Sequence, residues 1–170
     1  MGKAALITFR AAADADIPVI QDLSSRIWRE HYPGIITPAQ IDYMLGKMYA
    51  ADVLRDEVET KGYRYVLAVD GTMPVGYLAY RIDPAVRSVL ISKLYLLPSL
   101  HGKGIGRQML QFVKDDAAAQ GAKFIYLFVN KNNEKAIAAY ERFGFVRAEA
   151  VVTDIGGGFV MDDYRMELNL

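Results

Sequence analysis

The stretch that decides the fold is Leu94-Tyr95-Leu96-Leu97-Pro98-Ser99-Leu100-His101-Gly102-Lys103-Gly104-Ile105-Gly106-Arg107. An apolar run of strand length ends at Pro98. Glycines at 102, 104 and 106 then open a segment in which Ile105, Met109, Leu110, Val113 and Ala117 fall at helical spacing. Glycine lets a backbone approach a ligand closely, and successive amides at a helix start form a cradle for an anion. The helix dipole adds roughly half a positive charge at that end, and Lys103 and Arg107 add formal charge. A bound phosphate accounts for every part of this arrangement, an ordinary glycine-capped turn for only some of it. Two phosphate patterns are excluded by spelling: G-x-x-x-x-G-K-[S/T] is absent, and G-x-G-x-G is not the dinucleotide spacing G-x-G-x-x-G.

Working outward, Gly121 ends the helix, and residues 124–129 are an unbroken apolar run, as expected for a strand buried on both faces beside a parallel neighbour. Residues 133–142 are helical, ended by Phe143-Gly144-Phe145. Asn133 stands at that helix start, where an amide can cap and also bond an extended ligand. Tyr140 lies two turns on, beside Ala136, Ile137 and Phe143, and periodicity alone makes it a core ring. Upstream, residues 89–97, 75–82 and 63–69 read as strands, the last two joined by the hairpin signal Asp70-Gly71. Residues 7–10 form a first strand. Asp14 or Asp16 caps a helix with Pro18 in its first turn and a stripe running from Ile17 to Trp28. Thr37-Pro38-Ala39-Gln40 is a capping box before the stripe Ile41, Met44, Leu45 and Met48. Residues 52–60 are weakly helical, and two final strands flank Gly156-Gly157-Gly158. The expectation is one α+β domain over residues 1–170, with a central mixed, mostly antiparallel sheet of about seven strands and about four helices.

The 170 residues include 20 basic and 20 acidic ones, no cysteine and two histidines. A balanced charge argues against a nucleic-acid partner, which needs a basic excess against phosphates. Without cysteine there is no disulfide framework, thiolate metal site or Cys nucleophile. His31 and His101 lie too far apart in sequence to suggest a metal site, so no metal is expected. No apolar run approaches the roughly 20 residues of a membrane span. The N-terminus is too short in apolar residues for a signal peptide, and Leu6 stands where a myristoylation signal wants Ser or Thr. A cytoplasmic protein is expected. The acidic residues concentrate before residue 60 and the basic ones between 61 and 123, which suits an anion in the middle segment and a cationic partner on its flank, although solvated surface charge by itself accounts for the same asymmetry.

Two motifs together resemble the GNAT superfamily of acetyl-CoA-dependent N-acetyltransferases. Its loop pattern [Q/R]-x-x-G-x-[G/A] is matched by His101-Gly102-Lys103-Gly104-Ile105-Gly106, with His in the first place. Its pattern N-x-x-A-x-x-x-Y…G-F is matched by Asn133, Ala136, Tyr140, Gly144 and Phe145. The resemblance implies the GNAT fold, with splayed parallel strands at residues 89–97 and 124–129 and acetyl-CoA as co-substrate between them. It further implies that Leu94, Tyr95 and Leu96 offer backbone groups to the pantetheine arm and thioester carbonyl. Residues His101, Gly102, Lys103, Gly104, Ile105, Gly106 and Arg107 would hold the pyrophosphate, Asn133 would contact the pantetheine, and Tyr140 would protonate the departing thiolate. The acceptor amine would attack directly in a ternary complex.

A carboxylate found in some relatives on the strand before the Asn is missing from residues 124–129. Glu30, His31 and Asp162 remain as candidate bases. Asp162 shares strand phase with Tyr164, Met166 and Leu168 and is expected to point inward. The segment shaping the acceptor pocket holds Trp28, His31, Tyr32 and Tyr43, rings suited to an alkylammonium by cation–π contact. Its wording, and the closing Gly-Gly-Phe-Val-Met-Asp-Asp-Tyr-Arg-Met, are similar to bacterial polyamine N-acetyltransferases. A small-molecule amine is therefore the expected partner, with a protein α-amine or a silent acyl-CoA-binding domain as alternatives. A homodimer is expected, since the three-glycine loop could carry the final hairpin to a partner.

Overall fold

The computed structural model describes residues 6–170; the signal-peptide and myristoylation readings rest on the N-terminal segment, of which residues 1–5 lie outside the described residues. In chain order the elements are β1 (Ile7–Ala11), α1 (Ile17–His31), α2 (Pro38–Met48), α3 (Ala51–Glu59), β2 (Arg64–Asp70), β3 (Met73–Asp83), β4 (Ser88–Leu96), α4 (Ile105–Ala119), β5 (Phe124–Asn130), α5 (Glu134–Phe143), β6 (Val146–Gly156) and β7 (Phe159–Asn169). The strands form one sheet in the order β1-β2-β3-β4-β5-β7-β6. Only the β4–β5 pair is parallel; the other neighbours run antiparallel. This is the expected α+β architecture.

Strand alternation divides the core in two. Leu67, Val69, Tyr77 and Ala79 face α1, α2 and α3. Val66, Ala68, Leu78, Val89 and Ile91 face α4 and α5. Among the described residues there are five α-helices where about four are expected, the additional one being the weakly periodic α3. It buries Leu54, and its Glu57 carboxylate accepts from the Tyr65 hydroxyl and pairs at 3.1 Å with Lys93 of β4, which is buried. One apolar anchor plus an ion pair leaves no periodic stripe in the sequence. Lys93 keeps this arrangement obligatory, because a buried cation without its partner is strongly unfavourable.

Two capping expectations change in detail. Thr37 Oγ1 accepts from the Gln40 amide at 3.2 Å, but the Gln40 side chain donates to the Val160 carbonyl at 2.8 Å rather than back to Thr37. Asp16 occupies the cap position of α1 yet turns away from the helix, accepting from Arg10 at 2.8 and 2.9 Å and from the Ala13 amide. The β6–β7 tip docks on α2 of its own chain. Tyr43 Oη and Lys47 Nζ both donate to the Ile155 carbonyl, at 2.6 and 2.7 Å, and the Tyr43 and Phe159 rings lie 5.0 Å apart. Among the described residues no helix is long and apolar enough to cross a membrane.

Candidate active site

Parallel pairing between β4 and β5 runs from Ser88↔Phe124 to Ile91↔Leu127 and stops, although both strands continue. The stop coincides with a bulge: Ala79 pairs with Lys93 and Tyr80 with Ile91, so Ser92 is the extra residue. A bulge bends its strand, and here it turns β4 away from β5. A cavity of about 960 Å³ opens in the gap, lined at one end by the glycine loop and at the other by α1, α2 and β7.

At the loop end, Gly102 and Gly104 adopt φ of +79° and +80°, values that side chains other than hydrogen rarely tolerate. The first amide of this helix start to reach a backbone acceptor is that of Gln108, to Gly104 O at 3.2 Å. Among the described residues, those of 102–107 have no backbone acceptor, and helix amides left free at an N-terminus attract anions. Gly106 is helical, and a Cβ there would meet no protein atom within 4 Å. Neither backbone nor packing calls for glycine at 106, which leaves the approach of a bound group as the reason. His101 closes the loop, its Nε2–H donating to Leu96 O at 3.0 Å. Leu94, Tyr95, Leu96, His101, Gly102, Gly104, Gly106 and Arg107 all line the cavity. Two expected loop residues do not: the Lys103 side chain is exposed, and Ile105 is buried in the core under α4.

Asn133 is buried at the cap position of α5 but makes no side-chain cap bond. Instead its Oδ1 accepts from His31 Nε2–H at 3.1 Å, which ties the end of α1 to the start of α5 across the cavity and leaves the Asn133 Nδ2 hydrogens uncommitted. Burial lowers the pKa of His31, with His101 and Lys135 adding to the effect against the Asn133 bond. Tyr140 lines the cavity from α5, and its hydroxyl makes no hydrogen bond among the described residues. Burial, aided by Tyr32, pushes its pKa well above the ordinary tyrosine value, so it is protonated at neutral pH.

At the far end, Trp28 packs at 4.7 Å from Tyr32 and 5.6 Å from Tyr95, and the Tyr32 and Tyr95 hydroxyls lie 3.2 Å apart. Trp28, His31 and Tyr32 line the cavity as expected of acceptor residues; Tyr43 does not, being committed to the hairpin tip. Glu30 is exposed on α1 and outside the cavity. Asp162 also departs from expectation. Its phase matches Tyr164, Met166 and Leu168, but at position 162 that face has run past the core; the side chain is 53% exposed and bound to Lys131 at 2.7 Å.

The carboxylate that enters the cavity is the next one, Asp163, 5% exposed and with no hydrogen bond or ion pair among the described residues. Burial raises its pKa to about 6, with Asp162 adding to the rise and Lys131 opposing it. The sequence held one signal for it: in a strand, adjacent residues point to opposite faces, so one of Asp162 and Asp163 had to face α1 and α2.

A splayed parallel pair, an amide cradle at a helix start and a partly buried, protonated phenol in one crevice suit an enzyme acting on an acyl-coenzyme A. Residues 20–145 match the Acetyltransferase (GNAT) family, and the chain belongs to that family. It is an N-acetyltransferase whose co-substrate is acetyl-CoA. An uncharacterised N-acetyltransferase of Lactobacillus delbrueckii subsp. lactis is 26% identical over 151 residues, covering 85% of this chain and 87% of that one. The mycothiol acetyltransferase of Salinispora tropica is 32% identical over 117 residues, spanning 63% of this chain but 37% of that protein. Among solved structures, the PaiA N-acetyltransferase of Thermoplasma acidophilum in complex with coenzyme A superposes with a TM-score of 0.82 at 21% identity, covering 96% of this chain and 99% of that one. The spermidine N-acetyltransferase of Vibrio cholerae in complex with coenzyme A and spermine gives 0.71 at 22% identity, covering 96% and 95%.

Proposed function

We propose that the protein acetylates a primary amine of a small molecule by direct attack of the amine on the thioester in a ternary complex. The observation that carries this is the far end of the cavity, where aromatic rings and an unpaired buried carboxylate lie together beyond the splayed strands. Aromatic faces and a carboxylate suit an alkylammonium group. Gln40, Met44 and Met48 of α2 and Met161 of β7 wall this end, which favours a slender acceptor over a folded protein presenting its α-amine. A polyamine is the first acceptor to try; the Vibrio cholerae spermidine N-acetyltransferase shares this fold.

Acetyl-CoA supplies the activated acetyl group. In this reading the free amides of 102–107, with Arg107 and the rim charge of Lys103, hold its pyrophosphate. The Asn133 amide hydrogens meet the pantetheine. Backbone groups of Leu94 and the Leu96 amide, on the edge of β4 that β5 leaves, orient the thioester and stabilise developing negative charge on its oxygen, while the Leu96 carbonyl is held by His101 and the Tyr95 backbone faces β3. Tyr140, protonated and without a competing partner, gives its proton to the leaving sulfur.

The test is coenzyme A release with a panel of amines that includes spermidine, for the native protein and Tyr140→Phe. The expected result is turnover with at least one amine, and a kcat lowered about 10²–10⁴-fold in the variant with acetyl-CoA affinity unchanged. Tight acetyl-CoA binding with no turnover on any amine would instead establish a silent acyl-CoA-binding domain. An undiminished rate in Tyr140→Phe would remove Tyr140 from the mechanism.

A further inference from the structure

Asp163 has no role in the structure that explains its position. Among the described residues it does not cap a helix, pair with a cation or bond to a backbone amide, and yet it is buried in a cavity wall. Its place in the sheet is specific. Three residues beyond the last parallel pair, Ile91↔Leu127, β4 has reached Leu94 and β5 has reached Asn130, and Asp163 is the antiparallel partner of Asn130. Asp163 is therefore level with the middle of the gap between the splayed strands. Strand alternation puts it on the same face as Met161, which packs with the α1 and α2 core. Tyr140 packs with the core on the opposite face. Tyr32 is close enough to both to affect the titration of Tyr140 and to be affected by Asp163.

We propose that the Asp163 carboxylate anchors the acceptor's ammonium group and takes its proton, so that base and acid stand on opposite faces of the sheet with the reacting carbonyl in the gap. The proposal rests on the amine-acetylating function above. The protons balance as follows. The ammonium gives one proton to the carboxylate, and the freed nitrogen lone pair forms the bond to the carbonyl carbon. The carbon–sulfur bond breaks with its electron pair on sulfur, which takes the phenol proton of Tyr140. The second proton leaving the nitrogen restores the phenol, and the proton on Asp163 returns to solvent. An alkylammonium with a pKa of about 10.4 lies more than six powers of ten from an ordinary Asp carboxylate; the burial of Asp163 narrows that to about four.

The charged and titratable groups around Asp163 come from several elements. Lys131 follows β5 and is held by Asp162 on the neighbouring position of β7. His31 and Tyr32 face the cavity from α1, Tyr95 from β4 and Tyr140 from α5. Of these only His31, with its pKa lowered from 6.5, titrates in the same range, so the test must separate it from Asp163.

Asp163→Asn keeps the shape and removes the charge. The expected outcome is unchanged acetyl-CoA affinity and a kcat/KM for the best amine lowered about 10²–10⁴-fold. The native pH profile of kcat/KM should rise through a limb near pH 6, and this limb should vanish in Asp163→Asn and persist in His31→Gln. Calorimetric binding of spermidine to the native protein should weaken at least about tenfold from pH 7.5 to pH 5, a readout that needs neither turnover nor a variant. A variant with the native rate and limb, a limb lost instead in His31→Gln, or pH-independent spermidine binding would each overturn the proposal. Native protein that acetylates no amine would fail earlier, at the acceptor class itself, and would take the proposal with it.

Discussion

Gly106 separates folding from function at a single position. A Cβ there touches nothing in the chain, and alanine is the better helix residue by about 0.5–1 kcal/mol. Gly106→Ala should therefore raise the melting temperature slightly while weakening acetyl-CoA binding, both readable in one thermal-shift titration. Asp163 shows the same opposition. A carboxylate whose folded pKa lies above its unfolded value is favoured by folding while protonated, and that favour is lost as the pH rises through the folded value. With values of about 6 folded and about 3.9 unfolded, the native protein bears the full penalty above pH 6 and is relieved of it towards pH 4. Asp163→Asn should be more stable at pH 7 by about 1–3 kcal/mol, an advantage that shrinks to near zero at pH 4 in parallel urea titrations. A residue retained at a cost to stability fits a catalytic position. The two motifs were legible residue by residue because their constraints are local. Asp163 was not, because choosing between two adjacent carboxylates requires knowing which face of the sheet is covered at that level.

The decisive element is β4. It pairs with β3 throughout, bulges at Ser92 and leaves β5 after Ile91. Its position is also fixed from behind, since a Cβ on Gly76 of β3 would stand 2.5 Å from the Tyr95 carbonyl oxygen. That neighbour is backbone and has no flexible end to yield. Gly76→Ala should destabilise by about 1–3 kcal/mol. It should also weaken acetyl-CoA binding, since relief comes only by moving the strand that lines the cofactor gap; calorimetry on the folded variant measures this. The sequence showed β4 as a strand through its apolar run. It did not show the bulge, which depends on the register with β3, and it showed α3 only weakly, because that helix is held by the Glu57–Lys93 pair rather than by a periodic apolar face.

At the scale of the whole molecule, the long β6–β7 hairpin and α2 are far apart in sequence and joined in space. Tyr43, Lys47 and Gln40 all donate to hairpin carbonyls, and a Cβ at Gly156 or Gly157 would lie within 3 Å of the Tyr43 ring or hydroxyl. Gly156 and Gly157 thus serve a docking within the chain. Tyr43→Phe removes one bond to the Ile155 carbonyl, worth about 1 kcal/mol. The expected kinetic effect is a higher KM for the amine with KM for acetyl-CoA and kcat little changed, because α2, to which the hairpin is tied, walls only the acceptor end. Steady-state kinetics with each substrate varied in turn would show it.

By itself the sequence determined the strands, the main helices, the glycine-opened helix start and the acetyl-CoA chemistry, because glycine spacing, helix starts and apolar periodicity act over a few neighbouring residues. The tertiary structure alone decided which carboxylate enters the site, that Tyr43 holds a hairpin rather than a substrate, and where the strands part. Those outcomes depend on register and on which face of the sheet is covered, and both are set by contacts between residues distant in the chain.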